Sequence, residues 1–138
     1  MIRTFADADV LIYAARGTGE SAKRAMDILS HTGREFVSSD FLKLEVLPKA
    51  LYHERYDEAK FYQTYFDAVS QWATPSSELV DSALELAKTF GLSALDSLHL
   101  TAAQLLEADE FVTGEKPSSP IFRVPNIRIV SLFDKSIT

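Results

Sequence analysis

Short apolar runs alternate along this chain with segments of helical spacing, and that alternation restricts its folds more than any other feature. Residues 2–6, 36–37, 111–113 and 127–130 are mainly apolar and too short for helices, as the strands of a covered sheet are. Between them the spacing turns helical. Over 20–31 it runs through Ala22, Ala25, Met26 and Leu29, and over 78–90 through Leu79, Ala83, Leu86, Ala87 and Phe90, with Gly91 placed to end the second segment. Ser38-Ser39-Asp40 offers cap chemistry for a helix over 41–52, in which Pro48 is expected to cause a bend or an interruption. A long helix is expected over 54–73, with Phe61, Tyr65, Ala68, Val69 and Trp72 on its apolar face, and another over 94–107, opened by Ser93. The order reads β-α-α-β-α-α-α-α-β-β and predicts an α/β chain whose parallel sheet is covered by helices on both faces. With 138 residues, one domain over 1–138 is expected.

Composition removes several chemistries. Cys is absent and His numbers three, so there is no disulfide framework, no thiol nucleophile and no Cys-ligated metal. No HExxH, P-loop or G-x-S-x-G pattern occurs. No apolar run approaches the roughly 18–20 residues of a membrane span. The acids within the first apolar run are unlike a signal peptide, so a cytoplasmic protein is expected. The net charge of −6 argues against broad electrostatic binding of nucleic acid, but not against a local phosphate site that holds a divalent cation.

Acids set among apolar residues are the informative ones, because burying a charge is costly without compensation. Asp7 and Asp9 lie between Phe5 and Val10-Leu11-Ile12, where one of them is also placed to cap the next helix. Glu45 follows Phe41 and Leu42 by one turn, with Lys49 as a possible solvent-side partner. Asp96 has capping-box spacing from Ser93, yet shares a face with Leu92, Leu100 and Ala103. Glu115 follows a predicted strand within Thr113-Gly114-Glu115-Lys116, a position that an ordinary surface turn also explains. Asp7 and Glu115 fall at carboxyl ends of predicted strands, where parallel sheets place their sites. His99 stands three residues after Asp96, where it either orients that acid or, among Leu98, Leu100 and Ala102, is a satisfied core histidine.

Taken together, Phe5-Ala6-Asp7-Ala8-Asp9-Val10-Leu11-Ile12, Glu45, Leu95-Asp96-Ser97-Leu98-His99-Leu100-Thr101-Ala102-Ala103 and Phe111-Val112-Thr113-Gly114-Glu115 resemble a PIN-domain protein of the VapC toxin type. The resemblance covers nearly the whole chain and implies a three-layer α/β/α fold with a central parallel sheet. It also implies an acid cluster that holds Mg²⁺ or Mn²⁺, ribonuclease activity, a homodimer and a cognate antitoxin. Carried over by position, Asp7, Glu45 and Asp96 are the core catalytic acids, and Asp7, Asp9, Glu45, Asp96 and Glu115 form the metal set. Thr113 and His99 stand behind them. The family's fourth acid is usually Asp, and here Glu115 occupies that position.

Converging carboxylates repel one another unless cations or protons join them. Divalent ions there would activate water and orient a phosphodiester for hydrolysis without a covalent intermediate. Asp7 and Asp96 are then the principal ligands, while Glu45 is a ligand or positions the attacking water. Arg16, Lys43 and Lys116, with Arg3, Lys23 and Arg24, are candidate RNA phosphate contacts. Two other readings compete. One is a degenerate module that binds RNA or a protein without cutting. The other is a haloacid-dehalogenase-type phosphatase, whose opening D-x-D-x-[TV] also fits Asp7-Ala8-Asp9-Val10, with Asp7 as nucleophile.

Overall fold

The computed structural model describes residues 1–134. Five parallel strands, β1 (Ile2–Ala6), β2 (Arg34–Ser39), β3 (Gln71–Ala73), β4 (Glu110–Thr113) and β5 (Arg128–Ser131), form one sheet in the order β3-β2-β1-β4-β5. Six helices connect them: α1 (Ala8–Arg16), α2 (Glu20–Leu29), α3 (Asp40–Tyr52), α4 (Tyr56–Ala68), α5 (Ser77–Phe90) and α6 (Ala94–Leu105). The result is the expected three-layer α/β/α arrangement. A 3-10 turn over Pro120–Arg123 fills the proline-rich loop before β5.

β1 occupies the middle of the sheet and pairs with β2 on one side and β4 on the other. Its Phe5 and Ala6 are fully buried, as are Val37 of β2 and Phe111 and Val112 of β4. Burying side chains of the larger of these types contributes about 1.5–3 kcal/mol each. Phe5 stacks on Phe111 across the β1–β4 pair, with centroids 5.4 Å apart. Strands numbered upward run outward from β1 in one direction through β2 and β3, and in the other through β4 and β5. The gap between the carboxyl ends of β1 and β4 is therefore the point at which strand order reverses, the usual place for a site in an open parallel sheet.

Helix ends follow the sequence closely. The Ser39, Ser76 and Ser93 hydroxyls accept from the backbone N–H of Leu42, Leu79 and Asp96, and Gly91 closes α5 at φ +70°. Two expectations are corrected. The helix expected over 54–73 stops at Ala68, and Gln71–Ala73 instead forms edge strand β3 against β2. Trp72 thus belongs to the sheet. Pro48 does not interrupt α3, which runs unbroken to Tyr52. The carbonyl that loses its donor there belongs to Leu44, an exposed residue, on the side of the helix that solvent can reach.

Candidate active site

Asp7 is the first residue past β1 and the cap of α1. Its backbone N–H extends the sheet by donating to the Val112 carbonyl at 2.8 Å. One carboxylate oxygen accepts from the Ala8 N–H at 2.8 Å, and the other from the Thr113 hydroxyl at 3.0 Å. Of the two acids in the motif, Asp7 is the one that caps α1. It is 5% exposed. Burial, then the charge of Asp9, push its carboxyl up to about 7, against the opposing pull of His99 and of the Ala8 N–H, while Asp96 pushes in the same direction as Asp9.

The other predicted acids gather around it. Asp9 lies in the first turn of α1 and accepts from the Gly114 N–H at 2.8 Å. Its carboxyl is raised by desolvation and by the charges of Glu115 and Asp96. Asp96, in the first turn of α6, is raised by desolvation, then by Glu115 and by Glu45, with Ser93 and His99 opposing. Glu115 hangs from the loop after β4. Its backbone N–H donates to the Thr113 hydroxyl at 3.1 Å, and its carboxylate accepts from the Ser119 hydroxyl. Thr113 is the hinge of this arrangement, because its oxygen donates to Asp7 while accepting from Glu115.

Glu45 reaches the cluster from α3. Its partner is His99, whose Nε2 lies 2.7 Å from Glu45 Oε1. This corrects two expectations: Lys49 does not take Glu45, and His99 bonds Glu45 rather than Asp96. No Lys or Arg ion-pairs with Asp7, Asp9, Asp96 or Glu115 among the described residues.

Three contributors escaped sequence reasoning. Ser119 and Ser131 hold the Glu115 loop, Ser119 through the carboxylate and Ser131 by donating to the Glu115 carbonyl at 2.6 Å. Gly114 matters more. A Cβ on it would lie 2.8 Å from Asp9 Cγ and 2.9 Å from the Tyr13 ring, so only glycine lets the loop lie against Asp9. A glycine beside a candidate acid was the available signal.

The candidate phosphate contacts divide. Arg16 lines a cleft with Asp9, Ile12, Tyr13 and Gly17, and its guanidinium also pairs with Glu58 at 3.2 Å. Lys116 is exposed next to Glu115. Lys43 lies over the Phe66 and Trp72 rings, 5.9 Å from each centroid. Arg24 donates to the Leu132 carbonyl, and Lys23 is exposed on α2. Arg3 is a correction: it pairs with Glu35 and donates to the Leu106 carbonyl toward the amino end of β1, away from the acids.

The donor set is all oxygen, anionic and short of cationic partners, which is what a hard divalent cation requires. As the side chains stand, no three Asp, Glu or His among the described residues converge closely enough to hold one ion. Asp9, Glu45 and Glu115 each have one carboxylate oxygen engaged, by the Gly114 N–H, by His99 and by the Ser119 hydroxyl.

Comparison with known families agrees with this geometry. Residues 4–116 match the family model described as PIN domain. The chain belongs to the PIN domain family. Among curated proteins, no sequence matches this PIN domain. Solved structures share its fold at low identity. VapBC2 from Rickettsia felis bound to a promoter DNA fragment superposes with a TM-score of 0.71 at 13% identity, covering 94% of this chain and 98% of that one. DNA-bound VapBC from Salmonella typhimurium gives 0.68 at 15%, covering 96% and 99%. A toxin–antitoxin complex from Klebsiella pneumoniae gives 0.65 at 17%, covering 95% and 98%.

Proposed function

We propose that this PIN domain is a Mg²⁺- or Mn²⁺-dependent endoribonuclease and the toxin of a toxin–antitoxin pair. The observation that carries this reading is the buried Asp7 at the reversal point of the sheet, clustered with Asp9, Asp96, Glu45 and Glu115, with no Lys or Arg paired to these acids among the described residues. PIN domains are generally nucleases that use divalent ions, and the acids stand where this family's acids are expected.

Asp7 and Asp96 would be the principal ligands, with Glu45 completing the set or positioning the attacking water. Asp9 and Glu115 would act at the margin or hold a second ion. Glu115 is a methylene longer than the usual Asp, and its hydrogen bond to Ser119 fixes the longer side chain. A bound divalent ion supplies charge neutralisation, a more acidic water and an oriented phosphodiester. Thr113 keeps Asp7 aimed, and Arg16 and Lys116 flank the acids where a phosphate backbone would pass. Without the five acids, the count of 20 Asp and Glu falls nearly level with the 14 Lys and Arg, so cation binding removes much of the repulsion toward RNA. The family match favours this hydrolysis over a phosphatase with Asp7 as nucleophile, which leaves Asp96 and Glu45 without a task.

The related complexes support an antitoxin partner, a small protein whose Lys or Arg would enter the acid ring. A homodimer would use exposed apolar side chains such as Val80 and Leu84, one turn apart on α5. Sedimentation should then give a dimer that Leu84→Asp converts to monomer, and a monomeric parent would contradict that assembly. No helix among the described residues is long and apolar enough to cross a membrane. The function itself is tested by incubating tRNA, rRNA and DNA with the protein and Mg²⁺ or Mn²⁺. Cleavage of RNA that EDTA abolishes is expected, and cleavage of DNA alone would reassign the substrate.

A further inference from the structure

We infer that His99 is a positioning residue for Glu45, holding one oxygen of its carboxylate so that the other is presented to the acid ring. This rests on the nuclease reading and assigns a new role within that site.

α6 delivers Asp96 and His99 to the same side, three residues apart, as helical neighbours are. The two then diverge. Asp96 is half-buried among the acids, whereas the His99 side chain is 1% exposed and packs against Phe5 of β1, with centroids 6.2 Å apart. A wall formed by the central strand leaves the ring little freedom. Nε2 sits 2.7 Å from Glu45 Oε1, short for an N–H···O bond and typical of one to a carboxylate. A carboxylate only accepts, so Nε2 carries the proton. Nδ1 is buried with no hydrogen-bond partner among the described residues. Glu45 is therefore the ring's one side-chain hydrogen-bond partner among the described residues, 54 positions away in sequence and on another helix.

A purely structural pin between α3 and α6 would be served as well by an apolar side chain in this enclosed place, without an orphaned ring nitrogen. What only the imidazole provides is a donor at a fixed height, held by packing. The Glu45 side chain is one-third exposed and would otherwise sample several rotamers. Anchored at Oε1, it stays within electrostatic reach of Asp96, whose carboxyl its charge helps to raise. Outer groups that orient a ligand in this way commonly govern metal affinity.

Three variants test the inference: His99→Leu, which keeps the packing, His99→Gln, whose amide reaches the Nε2 position, and His99→Asn, which places its amide short of Glu45. Mn²⁺ affinity is read by electron paramagnetic resonance, folding by thermal melting, and RNA cleavage as separate kcat and KM. The Leu and Asn variants should keep a cooperative melt yet bind Mn²⁺ roughly 10–100-fold more weakly, with kcat falling and KM for RNA unchanged. Gln should recover most of the affinity. Leu and Asn variants that bind Mn²⁺ like the parent overturn the inference. So does a Gln variant no better than Asn when both fold. A parent protein that binds no Mn²⁺ overturns the nuclease reading itself, an outcome distinct from either of these.

Discussion

Asp7 is the most deeply buried of the clustered acids, and its chemistry predicts a pH signature. Its carboxyl titrates near 7 in the folded chain against an ordinary value of 3.8, chiefly because it is buried and then because Asp9 is close. A folded-state value above the unfolded one means that the native state holds the proton more tightly. The stability so conferred is complete below about pH 4 and is lost as pH rises to about 7, a loss on the order of a few kcal/mol. Metal-free protein should therefore melt at lower temperature at pH 8 than at pH 5. Asp7→Asn should flatten most of that slope, and Mn²⁺ should restore the parent at pH 8. A melt independent of pH and unchanged by Asp7→Asn would contradict the burial of a charge there. Gly114 gives a second residue-scale test. Gly114→Ala drives a Cβ into the Asp9 carboxylate and the Tyr13 ring, at a cost of about 1–3 kcal/mol for overpacking. Denaturant titration should show that loss together with weakened Mn²⁺ binding, and parent-like values in both would refute the cradle. Asp7, Asp9 and Asp96 were legible in the sequence because charge amid apolar residues is visible in one dimension. The Glu45–His99 bond and the Gly114 cradle were not, since each joins residues from separate elements.

At the scale of elements, the site is made by how strands and helices end. Asp7 stands where β1 ends and α1 begins, Asp96 in the first turn of α6, Glu115 just past β4, and Glu45 in the second turn of α3. The Ser93 hydroxyl fixes the start of α6 by accepting the Asp96 N–H. Ser93→Ala should cost about 1 kcal/mol, as lost caps do, and should lower activity beyond what the stability loss explains, because the turn that carries Asp96 frays. Activity reduced only in proportion to the folded fraction would reduce Ser93 to an ordinary cap. Helix starts were readable from Ser and Asp placement, and the end of α5 from Gly91. β3 was not. Three residues with the sequence Gln-Trp-Ala carry too few side chains to show a period of two, and Val69 and Trp72 extend the helical spacing of α4. Only pairing with β2 makes them a strand. Pro48 misled for a related reason: proline cost depends on which carbonyl loses its donor, and here that carbonyl belongs to exposed Leu44.

For the whole molecule, the decisive property is the reversal of strand order beside β1. It brings residues far apart in sequence to one end of the sheet, and the acids gathered there repel one another while no Lys or Arg pairs with Asp7, Asp9, Asp96 or Glu115 among the described residues. Five of the chain's 20 Asp and Glu belong to this cluster, so a cation bound there would change how the molecule meets a polyanion. The most direct test compares the parent with Asp96→Asn on structured RNA, with Mg²⁺ or Mn²⁺ and with EDTA. Asp96 is only half-buried, so the substitution should leave the fold intact, as a matched thermal melt would verify. The account predicts internal cleavage by the parent that requires the metal and falls by roughly 10²-fold or more in the variant, the scale of losing a preorganised charge at a reacting centre. Metal binding without cleavage of any RNA would contradict it and leave a PIN domain that binds without cutting. Cleavage that survives both EDTA and Asp96→Asn would place the chemistry elsewhere in the chain.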